Sequence, residues 1–404
     1  MRIGSQDSSR DLKGGAGPEG RPPGAPRGQV RPVRRALAKA AWPALALVAI
    51  ALVALTLVTN LGSGTRHTLV VAAIPFWNIE HDTSVVLANR KDVNEVSPWI
   101  YGMNSSGVIV PQYSQAQAGT ITADIAKMRA AHLRVVPSIA NTINGNWAYQ
   151  PIARILHDPA LRHEHVAAIL ALVEREHYAG IDIDYEQLHP GDRQVFTQFI
   201  TELGAALHSH GKVLSVDVFP QASAAKGQAN PLAAAQDYAA LGKVADQVRV
   251  MGFNYHWATS PAGAVAPVNW VRSVLKYATS QVPASKVILG IPLYGFDWPD
   301  GQQPAQTISW LQALRLSRQY HVTASYNKAT QAPYFSYTTG GRAHKVWFEN
   351  EASSRAKFEV VKGHSAGGIY LWMYGYEDPG TWPTLRSVLP TSGPNASSAA
   401  AGVP

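Results

Sequence analysis

The segment Tyr178–Leu188, YAGIDIDYEQL, sets three carboxylic acids, Asp182, Asp184 and Glu186, at alternate positions. In a β-strand alternate side chains share a face, so these three point one way, roughly 6–7 Å apart along the chain. Ile181, Ile183 and Tyr185 point the other way. Acids crowded on an apolar strand are costly unless they share protons and hydrogen bonds. Their mutual repulsion raises at least one pKa, which gives a carboxyl that keeps its proton near neutral pH, as a general acid must. Glu186 comes last, at the carboxyl end of the strand, where barrel enzymes collect their reactive groups. A structural acidic cluster and a Mg²⁺ or Ca²⁺ site are the other uses for such a triplet. Acid catalysis suits it best, and no metal or cofactor is expected.

A strand so placed needs a scaffold. Short β-branched runs recur at Leu69–Phe76, Trp99–Asn104, Leu133–Ile139, Gly180–Tyr185, Val213–Phe219, Gln247–Phe253, Val287–Pro292 and Gly368–Met373. Helical patterns separate several of them. In one, Phe196, Phe199, Ile200, Leu203 and Leu207 recur at helical spacing, with Gly211 as the stop. Alternating strand and helix implies parallel pairing, and eight units imply an α/β fold of the (β/α)8 TIM-barrel type. An open doubly wound sheet would be expected to carry a Gly-rich phosphate loop after its first strand, and IPFWNIEHD has none. The span before the eighth strand is too long for one helix. It predicts a small α+β insertion at about 298–362: a helix at Ile308–Tyr320, a hairpin around Ala332–Glu349 turning at Gly340-Gly341, and a helix near Ser353–Lys362.

The acidic segment resembles the D-x-x-D-x-D-x-E signature on the fourth strand of glycoside hydrolase family 18. VMGFNYHW (Val250–Trp257) resembles the family's sixth-strand M-x-Y-D. KVILGIPLYGFDW (Lys286–Trp298) is similar to its seventh-strand G-x-P-x-Y-G, and GGIYLWMYGYEDPGTW (Gly367–Trp382) to its eighth strand, whose Trp floors the sugar site. The stretch VWFENEASSRAKFEVVK resembles the bacterial spore-cortex-lytic and germination-type subgroup. The resemblance covers roughly Leu69–Leu385. It implies a retaining, substrate-assisted glycosidase, outside the usual two-carboxylate scheme. Glu186 would protonate the glycosidic oxygen while the substrate's own 2-acetamido oxygen attacks the anomeric carbon. Asp184 would orient the acetamide, and Asp182 would support Asp184 through a shared proton. An intramolecular nucleophile has a high effective concentration, so the protein need supply only an acid and a charge-stabiliser. Two positions depart from the pattern. Ala179 stands where the signature begins with Asp, and Phe253-Asn254 stand where the family has Tyr-Asp. The tyrosine hydroxyl that would bond the acetamide carbonyl is thus missing at Phe253, and Tyr255, two residues on, is a candidate substitute. The implied substrate is an N-acetylglucosamine-containing polysaccharide, of peptidoglycan type or chitin. A glycan-binding protein with weak turnover is the alternative, and a purely structural envelope protein a third.

Sugars present apolar C–H faces that aromatic rings cover well. Trp77, Tyr101, Trp147, Trp257, Tyr294, Trp298 and Trp372 fall at predicted strand ends or loops. Trp372 and Tyr294 are the foremost candidate sugar contacts, with Asn254, Tyr255, Trp77 and Trp257 beside them. The i, i+2 pairs His163/His165 and His208/His210 do not share a helix face and are expected at the surface.

The net charge of +8 is concentrated at one end: residues 1–39 hold nine Lys/Arg and three acids, +6 of the +8. A nucleic-acid partner would need a basic face on the domain itself, so none is expected. The basic excess abuts Ala40–Val58, AAWPALALVAIALVALTLV, 19 residues without a charge. At ~1.5 Å per residue this run reaches roughly 28 Å, close to the hydrocarbon thickness of a bilayer. The positive-inside rule then predicts a single-pass transmembrane anchor with a cytoplasmic N-terminus and an extracytoplasmic barrel. A cleaved signal peptide, giving a secreted protein, is the alternative, although no A-x-A site follows. The expected organisation is a disordered basic tail at 1–39, an anchor at 40–60, the barrel at 61–390 and a disordered tail at 391–404. With no cysteine in the chain, disulfides, thiolate zinc sites and cysteine nucleophiles are excluded.

Overall fold

A computed structural model describes residues 67–391. The chain divides after Gly64 into two units, and all described residues lie in the second. Among the described residues no helix is long and apolar enough to cross a membrane. The run Ala40–Val58, on which the anchor is predicted, lies outside them, as do both expected tails save Thr391.

Eight parallel strands close on themselves. They are β1 (Leu69–Pro75), β2 (Glu95–Met103), β3 (Ser138–Ala140), β4 (Gly180–Asp184), β5 (Val213–Val218), β6 (Gln247–Val250), β7 (Val287–Pro292) and β8 (Gly368–Trp372). Each pairs with its sequence neighbours, and β8 returns to β1 through Leu69↔Gly368 and Val71↔Tyr370. Helices follow the strands and cover the outside, as in the (β/α)8 barrel. The helix Arg193–Ser209 buries Phe196, Phe199, Ile200, Leu203 and Leu207, the face its spacing predicts. Ile181, Ile183 and Tyr185 pack outward into the same layer, with the Tyr185 ring stacked 5.7 Å from Phe199.

Two strands differ from expectation for reasons of polarity and proline. β2 begins four residues before Trp99, because Glu95 and Ser97 face a polar barrel interior that hydrophobicity does not reveal. The third strand is split into Arg134–Val135 and Ser138–Ala140. Pro137 lies in the gap, and proline lacks the N–H that a central ladder uses.

Between β7 and β8 stands a five-stranded antiparallel sheet with the helix Trp310–Gln319. Its spatial order is Gln306–Ser309, Tyr294–Pro299, Arg342–Trp347, Ala332–Thr339 and Ser325–Asn327. It takes in Tyr294, ahead of the expected start near 298, because the chain leaves β7 directly into this second sheet. Ile308, Ala313, Phe335, Tyr337, Val346 and Phe348 form its own small core.

Candidate active site

β4 aims Asp182 and Asp184 into the barrel, where both are buried. Gly180 opens this strand where a Cβ would sit 2.1 Å from the Val213 carbonyl oxygen, so a side chain there would push β4 away from β5. Glu186 lies just beyond the strand end and is partly exposed. Its backbone is clamped from both sides by Asn141: Glu186 N–H donates to Asn141 Oδ1 at 2.8 Å, and Asn141 Nδ2 donates to the Glu186 carbonyl at 2.9 Å. The next residue, Gln187, has a positive φ of 55° and turns the chain away.

The acids differ in their partners. Asp182 Oδ2 accepts from Ser138 Oγ at 2.7 Å and lies 3.3 Å from Arg249 Nη1. Asp184 Oδ2 accepts from the Trp99 indole N–H at 2.9 Å. The Glu186 carboxyl has no ion pair among the described residues. Burial, with the Asp184 carboxylate beside it, holds Glu186 well above the usual carboxylate range. Burial also raises Asp184, to about 7; the Trp99 hydrogen bond opposes this and Asp182 adds to it. Among the described residues no hydrogen bond joins Asp182 to Asp184, between which a shared proton is expected. Asp182 instead faces Arg249.

Arg249, from β6, is 1 % exposed and held in a closed network. Nη2 bonds Glu95 Oε1 at 2.7 Å, Nη1 bonds Ser97 Oγ at 2.7 Å and Nε bonds Gln247 Oε1 at 3.1 Å. A buried guanidinium is tolerable only with this completeness of pairing. It fixes one charge beneath the acids without touching Glu186.

A cavity of about 500 Å³ opens above these groups, lined by Trp99, Trp147, Asp184, Glu186, Asn254, Trp257 and Trp372 among others. Trp372 ends β8, and Trp77, half-exposed, stands edge-on to it at 6.5 Å and to Trp99 at 5.9 Å. Tyr294, expected as a sugar contact, is buried behind the lining instead: its hydroxyl donates to Asn254 Oδ1 at 2.6 Å, and Asn254 faces the cavity. Asn254 adopts φ 58°, a backbone region Asn enters more readily than most residues. Trp298 and Tyr101 are packed away from the cavity, the latter with its hydroxyl 2.8 Å from that of Tyr178.

Tyr255 is not brought to the cavity wall. Its ring is half-exposed and packs on Trp270 and His256, so its position does not replace the hydroxyl absent at Phe253. Period-two spacing fails here because β6 ends at Val250 and the following residues are irregular. The histidine expectation needs one correction. His163, His208 and His210 are exposed, but His165 is buried, with Nε2 at 2.6 Å from the Tyr185 hydroxyl. The helix Pro159–Arg175 presents this position to the barrel together with Arg162, Val166 and Ile169.

Sequence reasoning passed over Ser138, Trp99, Asn141, Asp217, Arg249 and Tyr370. A signal was present for some of them. VLSVDVF and QVRVMGF carry polar residues at alternate positions, the same period that identified the acids. Among the described residues no group of three His, Cys, Asp or Glu is arranged to hold a metal ion.

A parallel barrel with buried acids at its carboxyl end, under a collar of tryptophans, is the class of site that handles saccharides. The comparisons agree: the model of the Glycosyl hydrolases family 18 matches residues 66–377, and the chain belongs to that family. It is 34% identical over 273 residues to the cortical fragment-lytic enzyme of Bacillus anthracis, covering 66% of this chain and 63% of that enzyme. It therefore spans less than two thirds of that relative's length. The spore cortex-lytic enzyme SleL of Bacillus cereus superposes with a TM-score of 0.72 at 27% identity, over 82% of this chain and 76% of the other. A chitinase from Chromobacterium violaceum gives a TM-score of 0.72 at 27% identity, over 79% of this chain and 98% of the other.

Proposed function

We propose that the chain hydrolyses β-linked N-acetylglucosamine-containing glycans of the peptidoglycan type, with retention and with the substrate's acetamide as nucleophile. The observation that carries this is Glu186: a carboxyl at the cavity, with no cation paired to it among the described residues, raised by burial and by Asp184, and fixed through its backbone by Asn141. Glu186 gives its proton to the glycosidic oxygen and later takes one from water. Asp184, anchored by Trp99, faces the acetamide and the positive charge that develops on it. Asp182, tied to Arg249 and Ser138, sets the field behind Asp184. Trp372, Trp77 and Trp257 offer faces for sugar rings.

The wall substrate is favoured by the likeness to cortex-lytic enzymes of bacilli, and chitin by the likeness to a bacterial chitinase. Incubation with purified peptidoglycan and with chitin oligomers, followed by mass analysis of products, separates the two. Release of reducing ends from neither rejects hydrolysis and leaves the weak glycan-binding alternative that Phe253 and Asn254 favour.

The placement proposed with this activity is a single-pass anchor at 40–60 with the barrel outside the cytoplasm. Its support is the charge-free run behind a basic tail. Protease added to intact cells should remove the barrel. Protection of the barrel would refute the topology, and release of the chain into the medium would favour the cleaved, secreted form.

A further inference from the structure

The cavity wall holds two polar groups that the chemistry above leaves unused. The β4–β5 register pairs Asp182 with Ser215 and Ile183 with Val216, so the next inward-facing neighbours are Asp184 and Asp217. Across the other edge of β5, Asp217 is paired with Arg249. Asp217 Oδ1 is buried with no hydrogen-bond partner among the described residues. Tyr370, on β8, is 3 % exposed, and its hydroxyl is likewise buried and unpartnered. Both residues line the cavity that holds Asp184 and Glu186. An unpaired buried polar atom loses its hydration without replacement and is costly. Two of them on one cavity wall mark a place that a ligand's polar group completes.

The surroundings say which group. The Tyr370 ring stands edge-on to Phe253, centroids 5.9 Å apart at 77°. Gly290 of β7, paired with Tyr370, makes room for both: a Cβ there would lie 2.7 Å from Tyr370 Cε1 and 2.8 Å from Phe253 Cε1. Phe253 presents only carbon to the cavity, and the hydroxyl beside it comes from the eighth strand. The Tyr370 hydroxyl can donate, and so can Asp217 when its carboxyl carries a proton. Burial, then Asp182 and Asp184, hold the Asp217 carboxyl well above the usual carboxylate range, and burial, then Asp217, raise the Tyr370 hydroxyl. Their natural complement is a neutral acceptor rather than a cation or a carboxylate.

We propose that Tyr370, assisted by Asp217, holds the carbonyl oxygen of the substrate's 2-acetamido group, the contact for which Phe253 has no hydroxyl. The two are positioning and specificity-determining residues, and the inference rests on the N-acetylglucosamine reading above. They make the site read the substituent at C2 of the sugar, and they turn the acetamide toward the anomeric carbon.

The test is calorimetric binding of two neutral tetrasaccharides that differ at C2, tetra-N-acetylchitotetraose and cellotetraose, to the full chain carrying Glu186→Gln. The expected preference for the N-acetylated sugar is tenfold or more. Adding Tyr370→Phe should reduce it to threefold or less while cellotetraose binding stays put. Asp217→Asn, which keeps the side-chain shape, should lower the same preference, and Phe253→Tyr added to Tyr370→Phe should restore part of it. The proposal is overturned if Tyr370→Phe and Asp217→Asn keep the preference within twofold, or weaken both sugars equally. It also falls if the Glu186→Gln chain shows no preference at all. A clear preference in a chain that releases no reducing ends from any glycan would instead reject the hydrolytic reading and leave this one standing.

Discussion

Three acids two residues apart have three different environments, and these separate their tasks. Asp182 has a guanidinium, Asp184 an indole N–H, and Glu186 neither. Arg249 is the least replaceable of the supporting groups. Changing it to Met takes from buried Asp182 the cation beside it and leaves Glu95 only Arg134 among the described residues, so Arg249→Met should lose ~3–5 kcal/mol in denaturant unfolding. A loss under 1 kcal/mol would show that the network is not held by that charge. Asp184 also acts on Glu186 at a distance. Its charge is the second cause, after burial, of the raised Glu186 pKa. Asp184→Asn removes that cause, so Glu186 releases its proton at lower pH, and the alkaline limb of residual kcat/KM should move toward acid. A limb that stays in place, or moves toward alkali, would contradict the coupling.

At the scale of elements, the acid is held by a loop-to-loop latch. Asn141 follows β3 and Glu186 follows β4, and two hydrogen bonds join them where the strands have ended. Displacing a reacting group by ~1 Å can cost ~10²-fold in rate. Asn141→Ala should therefore lower kcat toward that extent with little change in KM, measured on the same glycan. An unchanged kcat, or a loss confined to KM, would remove the latch from the account. The latch was invisible in the sequence because Asn141 carries no periodic signal and its partners are backbone atoms. β4 itself was legible because its outer face is apolar and its inner face acidic, which makes the alternation plain. β2 was half legible: its inner residues Glu95 and Ser97 are polar for the sake of Arg249, a residue 152–154 positions away.

For the molecule as a whole, eight strands and a closed barrel followed from the spacing of β-branched runs, and the insertion from excess length before the last strand. Residues that contribute to the interior through one polar atom each, such as Trp99 and Tyr370, could be located only once closure had brought strands together. The outer layer carries one such surprise in His165. Burial lowers its pKa from 6.5 to about 4. A base with a depressed pKa contributes stability that is fully present above 6.5 and lost as the pH falls through about 4. That loss amounts to ~3 kcal/mol at ~1.36 kcal/mol per unit. Urea unfolding of the parent and His165→Gln should thus show a stability gap at pH 7 that narrows at pH 4. A gap equal at both would place the acid sensitivity elsewhere.

The central claim is that Glu186 is the proton donor. It is tested most directly by reducing-end release from one purified N-acetylglucosamine-containing glycan by the parent and by Glu186→Gln, with binding measured alongside. The account predicts a rate lower by ~10²–10⁴ in the variant with binding retained. Equal rates in the two proteins would contradict it.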